Sequence, residues 1–192
     1  MTTVLAVDLG SASGRVLAGT LTDGRLDVTD IHRFKHEARR RADGTLTWDV
    51  ATMEAETIIG LKKALEQFPD ARSVSIDTWG VDWAPLDENG DLVGDVIAYR
   101  DERTSRTLDA FRERIGDREF FDLTGNQPAT INTANQLFAY LQENPADAQR
   151  VAGVLFLPDY FVYRLTGAVG WSRTIASTSG LLTPGGGDFN DE

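Results

Sequence analysis

Short apolar runs alternate with turn residues in the first part of the chain, a pattern typical of β-strands. The run Val4–Val7 is too short for a helix and stops at a turn over residues 8–14. A second run, Arg15–Leu21, follows directly, and the hairpin signal Asp23-Gly24 precedes a third strand over about 26–34. Because the connections are short, the pattern predicts an antiparallel three-strand meander.

The rest of the chain mixes helical and strand patterns. Asp49 is a plausible N-cap for an amphipathic helix over about 50–67. Glu102–Ile115 also has helical spacing, and Gly116 suits the C′ position behind it. Further elements are predicted as strands at 73–79, 83–86 and 154–157, and as helices over 132–142 and from Pro158 onward. This order predicts a mixed α/β domain.

Composition narrows the possible chemistry. Of 192 residues, 19 are Lys or Arg and 30 are Asp or Glu, so the net charge is −11. That balance opposes binding to nucleic acid. The chain has no cysteine, and its two histidines, His32 and His36, have no third ligand of the usual type nearby, which disfavours a zinc site. No apolar run has the roughly 18 to 20 residues of a membrane span, so a cytoplasmic protein without membrane contact is expected.

The turn Asp8–Arg15 is the strongest chemical signal. Small residues let the backbone approach a ligand, and successive amides can form an anion-binding nest. Asp8 can hold a magnesium ion that bridges to phosphate, and Arg15 offers a positive charge. The turn lacks the Gly-Lys-Ser/Thr sequence of a Walker loop. Residue types alone leave two readings open, a phosphate-binding loop and an ordinary glycine-rich hairpin.

One further segment has both a functional and a plain structural interpretation, and two others are interpreted as charged surface. Asp77–Trp83 places two carboxylates and two tryptophans around Gly80, which suits a sugar site, although Trp79 and Trp83 could equally be core aromatics. Tyr99–Thr104 and the basic segment Lys35–Arg41 are both typical of solvated charged surface, the latter as a loop.

Several blocks in order carry a resemblance to a known family. The matching stretches are Ala6–Arg15, Ile31–Phe34, Thr47–Asp49, Ile76–Asp82, Tyr99–Thr104, Asn132-Thr133, Gln136-Leu137 and Leu157–Gly167. Together they resemble the FGGY family of carbohydrate kinases, and within it the rhamnulokinases most closely. The resemblance implies an α/β fold, namely an actin-like, ribonuclease-H-type lobe that the family uses twice in one chain.

The resemblance also implies roles for individual residues. The ATP-phosphate loop would be Ser11, Ala12, Ser13, Gly14 and Arg15, with Asp8 supporting Mg²⁺. The ketose would contact the backbone of Gly80, and the further residues implied for the sugar pocket are Trp79, Asp82, Arg100 and Gln127. The implied reaction transfers the γ-phosphoryl group of ATP to the 1-hydroxyl of L-rhamnulose or a related ketose.

Other features suggest an incomplete enzyme. The family's general base lies in a His-Asp motif that this chain lacks, so no catalytic residue is assigned and the base is expected after Glu192. Residues 1–192 are therefore expected to be an incomplete N-terminal lobe without measurable turnover, which could self-associate through exposed apolar surface. The glycine-rich segment 184–192 is read as the edge of a longer chain.

The exact sugar and the function class have alternatives. Pro128 follows Gly125-Asn126-Gln127 where the family tends to have an aromatic residue, and Arg173 stands where an acidic residue is expected. Xylulose, fuculose or another deoxyketose is therefore possible. The competing functions are a ribonuclease-H-type nuclease with Asp8, Asp77 and Asp82 as metal ligands, and a non-catalytic module that binds sugar or phosphate.

Overall fold

The chain divides into two compact units in the computed structural model, which describes residues 1–185 and 187–189. Unit 1 contains Met1–Arg39 and Trp48–Trp79, and unit 2 contains Arg40–Thr47 and the chain from Gly80 onward. The strands are β1 (Thr2–Leu9), β2 (Ser13–Thr22), β3 (Arg25–Lys35), β4 (Arg39–Arg40), β5 (Leu46–Trp48), β6 (Val74–Thr78), β7 (Trp83–Leu86), β8 (Val96–Ile97) and β9 (Gly153–Phe156). The helices are α1 (Val50–Gln67), α2 (Arg103–Arg114), α3 (Asp117–Thr124), α4 (Thr133–Glu143), α5 (Pro145–Ala148), α6 (Leu157–Thr166) and α7 (Arg173–Ala176).

Unit 1 is built on a four-stranded mixed sheet in the order β3-β2-β1-β6. The pairs β1–β2 and β2–β3 are antiparallel, so the predicted meander is confirmed. The pair β1–β6 is parallel, as α1 connects the meander to β6. In this register Asp8 is aligned with Arg15 on one side and with Asp77 on the other. Three candidate site residues therefore lie side by side at one end of the sheet.

Helix α1 covers one face of this sheet. Asp49 caps it as predicted, because its side chain accepts a hydrogen bond from the Thr52 amide at 3.0 Å. The buried strand residues below include Val7 and Val16, which alternate with more exposed neighbours. At Gly60 the helix comes so close that an added Cβ would collide with the Val16 side chain. Glycine is needed there for helix–sheet contact.

Unit 2 combines two small sheets with six helices among the described residues. Its sheets have the orders β4-β5-β8 and β7-β9, the second of them antiparallel. Phe156 at the end of β9 packs with Ala176 and Leu182 in a buried apolar cluster. None of the described helices is long and apolar enough to span a membrane.

The structure differs from the sequence prediction between α2 and α3. Gly116 follows the last residues of α2 as expected, but its φ is −68° and it begins a second helix, α3, that was not predicted. Ile115 already ends α2 in an extended conformation, so no left-handed glycine is required. The prediction of a loop over Lys35–Arg41 is also partly wrong, because Lys35 ends β3 and Arg39–Arg40 forms β4. Of the tail 184–192, residues 186 and 190–192 lie outside the described residues.

Candidate functional site

The predicted phosphate loop is the tight turn between β1 and β2. The Gly10 amide donates to the Ser13 carbonyl at 2.9 Å, which closes the turn, and Ala12 at its tip is exposed. Gly14 is buried, and a Cβ there would collide with the ring of Phe34. The loop thus owes its shape to one glycine that packs against an aromatic ring and to small residues that leave the tip open.

Asp8 and Arg15 form an ion pair beside this loop. The Arg15 Nε donates to Asp8 Oδ2 at 2.7 Å, and both side chains are about 40% exposed, at 42% for Arg15 and 39% for Asp8. Asp77 lies next to Asp8 on the parallel neighbour β6 and is exposed. A carboxylate at the solvent edge, next to a cation and an open turn, suits a site for an anion and its counter-ion.

Asp8 and Asp77 could hold magnesium only together with ligands that the substrate supplies. No cluster of three or more Asp, Glu, His or Cys residues that could enclose a metal occurs in the described part of the chain. Mg²⁺ is commonly held by one or two carboxylates together with substrate phosphates. Asp8, with Asp77 adjacent in the register, matches that arrangement rather than an all-protein metal site.

An aromatic cluster in unit 1 contains His36, which the sequence analysis did not assign to a site. Trp79 lies 4.4 Å from Trp48 and 5.9 Å from His36, measured between ring centroids, and the His36 ring is near-parallel to it at 28°. Phe34 contacts the same histidine at 5.9 Å. Burial lowers the pKa of His36, while the backbone groups of Gly10 and Ser13 act in the opposite direction. The available signal was the spacing of Phe34, near the end of β3, and His36, directly after the strand.

Gly80 and Asp82 differ sharply in access. Gly80 is partly exposed, and a Cβ there would lie 3.4 Å from Thr178 Oγ1, so Thr178 is its nearest side-chain neighbour on that side. Asp82 is fully buried, at 0% exposure. Burial of Arg103 lowers the pKa of its guanidinium, and the negative charge of Asp82 raises it. The closed position of the Asp82 carboxylate favours a structural role over the predicted sugar contact.

The remaining predicted sugar residues, Arg100 and Gln127, both lie at the protein surface. Arg100 is exposed; its Nε donates to the Tyr99 hydroxyl at 2.8 Å and its guanidinium lies 5.2 Å from the centre of the Tyr99 ring. Gln127 is exposed and lines a hollow with Asp117, Arg118, Phe121 and Pro128, to which no other predicted sugar residue contributes. Trp83 is a core aromatic, 3% exposed and edge-on to Tyr140.

Comparison with known proteins identifies relatives over almost the entire chain. The model of the N-terminal domain of the FGGY family of carbohydrate kinases matches residues 3–192. A rhamnulokinase of Mannheimia succiniciproducens is 39% identical over 181 residues, which are 93% of this chain and 37% of that protein. A rhamnulokinase of Klebsiella pneumoniae is 41% identical over 180 residues, with the same coverage of 93% and 37%. The chain thus spans little more than a third of the curated relatives it matches.

Solved structures share the fold at low sequence identity. A ligand-bound xylulose kinase of Lactobacillus acidophilus superposes with a TM-score of 0.84 at 13% identity, over 100% of this chain and 39% of that one. A glycerol kinase of Plasmodium falciparum with ADP gives 0.83 at 16% identity, over 100% and 40%. The expected α/β, actin-like fold with its mixed sheet is therefore confirmed.

Proposed function

Because this chain belongs to the FGGY family of carbohydrate kinases, we propose that it supplies the phosphate loop and part of the sugar site of an ATP-dependent ketose kinase. The acceptor is the 1-hydroxyl of L-rhamnulose or a related ketose. The observation that carries this proposal is the identity of 39% and 41% to two rhamnulokinases across 93% of the chain. The family match does not favour the nuclease alternative.

The turn after β1 binds and orients the nucleotide phosphates. In this proposal the amides of Ser11, Ala12 and Ser13 would bind the anion at the exposed tip, and Arg15 would add a guanidinium beside them. Phosphoryl transfer depends mainly on such positioning and charge neutralisation. Magnesium, when bound, supplies the divalent charge that neutralises the phosphates. Asp8 is the residue that would hold it.

The proposed sugar contact in unit 2 is the backbone of Gly80, and the one in unit 1 is the indole of Trp79. A glycine backbone offers polar groups without a side chain in the way, and an indole face packs on the C–H face of a sugar. Arg100 and Gln127 remain proposed contacts, since both are exposed and available to a ligand. Asp82 acts from the interior as a counter-charge of Arg103.

Nucleotide binding by the purified chain tests the phosphate site. Titration with Mg²⁺–ATP, followed by ¹H–¹⁵N NMR, should shift the amides of Ser11, Ala12 and Ser13. Asp8→Asn should weaken the magnesium-dependent part of the affinity and should not weaken metal-free ATP binding, because it removes a carboxylate that holds the metal, repels phosphate and pairs with Arg15. Asp27→Asn, on the outer part of the meander, is the matched control. Absence of any shift at 11–13 would refute the phosphate assignment.

Self-association of this chain is a separate proposal, which rests on its exposed apolar surface. Three apolar side chains on β2 and β3 are about half exposed, namely Leu21, Leu26 and Val28. Such surface favours association in water. Sedimentation velocity across a dilution series should show a concentration-dependent dimer, and a single monomer at every concentration would refute it. The isolated chain should show no ketose phosphorylation.

A further inference from the structure

Val81 has a backbone conformation that β-branched residues rarely adopt. Its φ is +69°, in the left-handed region where the side chain crowds the backbone. Asp23, the other described non-glycine residue with positive φ, lies in a two-residue hairpin turn that requires this conformation. Val81 has no such turn to explain it. A strained conformer of this kind persists only where the surroundings hold it in place.

Two buried donors from α4 hold the Val81 carbonyl. The Thr133 hydroxyl donates to it at 2.8 Å, and the Gln136 side-chain amide donates at 3.1 Å. Both residues are at 0% exposure, and they are three positions apart on one face of the helix. The carbonyl is therefore fixed by a rigid element rather than by the solvent.

Arg103 determines which way the Gln136 amide points. Its Nη2 donates to Gln136 Oε1 at 2.7 Å, so the amide nitrogen faces the carbonyls of Val81 and Ile131. The guanidinium is itself held inside unit 2, since its Nη1 donates to the Ala98 carbonyl at 3.1 Å. A chain of contacts therefore runs from the start of α2 through α4 to Val81.

Asp82, the residue that follows Val81, is anchored as well. The Asp82 carbonyl accepts a hydrogen bond from the Leu157 amide at 3.0 Å, at the start of α6. Because the carbonyls of Val81 and Asp82 are both tied to helices of unit 2, the peptide that joins Val81 to Asp82 has a fixed direction. The direction of the Gly80–Val81 peptide follows from it through the backbone angles of Val81. Gly80 is the partly exposed member of this segment.

We propose that Thr133 and Gln136, the latter oriented by Arg103, are positioning residues for the ketose. They hold Val81 in its left-handed conformation and thereby keep the Gly80 backbone in the arrangement that binds the sugar. This inference rests on the proposed function, because it takes Gly80 to be the sugar contact. These residues act through the backbone and do not touch the ketose.

A matched pair of variants tests the proposal in the isotope-labelled chain. Thr133→Val keeps the shape and removes the donor, whereas Thr133→Ser keeps the hydroxyl. Titration with L-rhamnulose is followed by the Gly80 amide shift, and the ¹³C shifts of Val81 report its conformation. We expect Thr133→Val to weaken ketose binding about 5-fold, as expected for one lost hydrogen bond, and to move the Val81 shifts. Thr133→Ser should restore both.

Controls separate this effect from a general loss of packing. Thr3→Val removes a buried hydroxyl that shares a hydrogen bond with the Thr20 hydroxyl at 3.1 Å, at the start of β1 in unit 1. It should lower stability without changing ketose affinity. Gln136→Glu is the second variant, which decides the matter if Thr133→Val does not fold. It keeps Arg103 paired but places an acceptor against the Val81 carbonyl, so it should weaken ketose binding more than Thr133→Val.

The outcomes distinguish this inference from the function on which it rests. If the wild-type chain shows no ketose-dependent shift at Gly80, the proposed sugar site is refuted, and the inference with it. If the wild type responds but Thr133→Val or Gln136→Glu binds the ketose equally well, the positioning role alone is refuted. An equal loss of affinity in Thr3→Val would also refute it.

Discussion

Arg15 donates from Nε to the Asp8 carboxylate across the first two strands, with 2.7 Å between the nitrogen and the oxygen. The resemblance assigned these two residues to different partners, Arg15 to phosphate and Asp8 to magnesium. Their pairing means that each neutralises the other where nucleotide is absent. In the proposed complex, Arg15 would contact phosphate and Asp8 would hold the metal.

Arg15→Met should separate binding from stability. We expect the affinity for Mg²⁺–ATP to fall about 10- to 100-fold, because a charge-assisted hydrogen bond contributes roughly 1.5–3 kcal/mol. The free energy of unfolding should change by less than about 1 kcal/mol, since the pair is solvent-exposed. Calorimetric titration and urea unfolding measure the two quantities. Arg25→Met removes a similar exposed pair with Asp27 and should change neither quantity appreciably, which makes it the control.

Gly60→Ala sets helix propensity against packing. Alanine favours an α-helix by about 1 kcal/mol over glycine, but its Cβ would collide with Val16, and overpacking costs about 1–3 kcal/mol. We expect a net destabilisation of about 1 kcal/mol by urea unfolding. Ala55→Gly, at an exposed position of α1, measures the propensity effect alone. A more stable Gly60→Ala variant would show that α1 can move away from the sheet.

Asp49 should contribute a pH-dependent cap to α1. The Thr52 amide, followed by the Thr52 hydroxyl and Arg39, holds the pKa of Asp49 below its ordinary value of 3.8. The stabilisation is therefore complete above pH 3.8 and is lost as pH falls through the lower pKa of the folded state. Asp49→Ala should cost about 1 kcal/mol at neutral pH. Asp49→Asn should keep most of the cap, and its deficit relative to wild type should shrink in acid.

His36 should make the folded state less stable in mild acid. Since burial lowers the pKa of the folded ring below the ordinary 6.5, the unfolded chain takes up a proton first as pH falls through 6.5. The free energy of unfolding should then decrease until the folded pKa is reached. His36→Gln should lack this component in urea unfolding between pH 7.5 and about 5. Curves for the two proteins that stay parallel over this range would contradict the prediction.

The local pattern of the sequence determined much of unit 1. Alternating apolar residues and the Asp23-Gly24 turn were sufficient for the meander, and Asp49 with its helical stripe was sufficient for α1. These elements follow from contacts near in sequence and from single turn or cap residues. The turn after β1, which we propose binds phosphate, was predicted for the same reason, because all its residues are consecutive.

Only the tertiary structure decided which residues work together. Asp82 and Gly80 are two positions apart in sequence, yet one is closed to solvent and the other is open, because α4 and Arg103 pack over this segment. His36, in a segment that reads as a solvated basic loop, packs on Trp79 across 43 residues of sequence. Burial and the direction of a backbone carbonyl depend on distant parts of the chain, so neither can be obtained from local pattern.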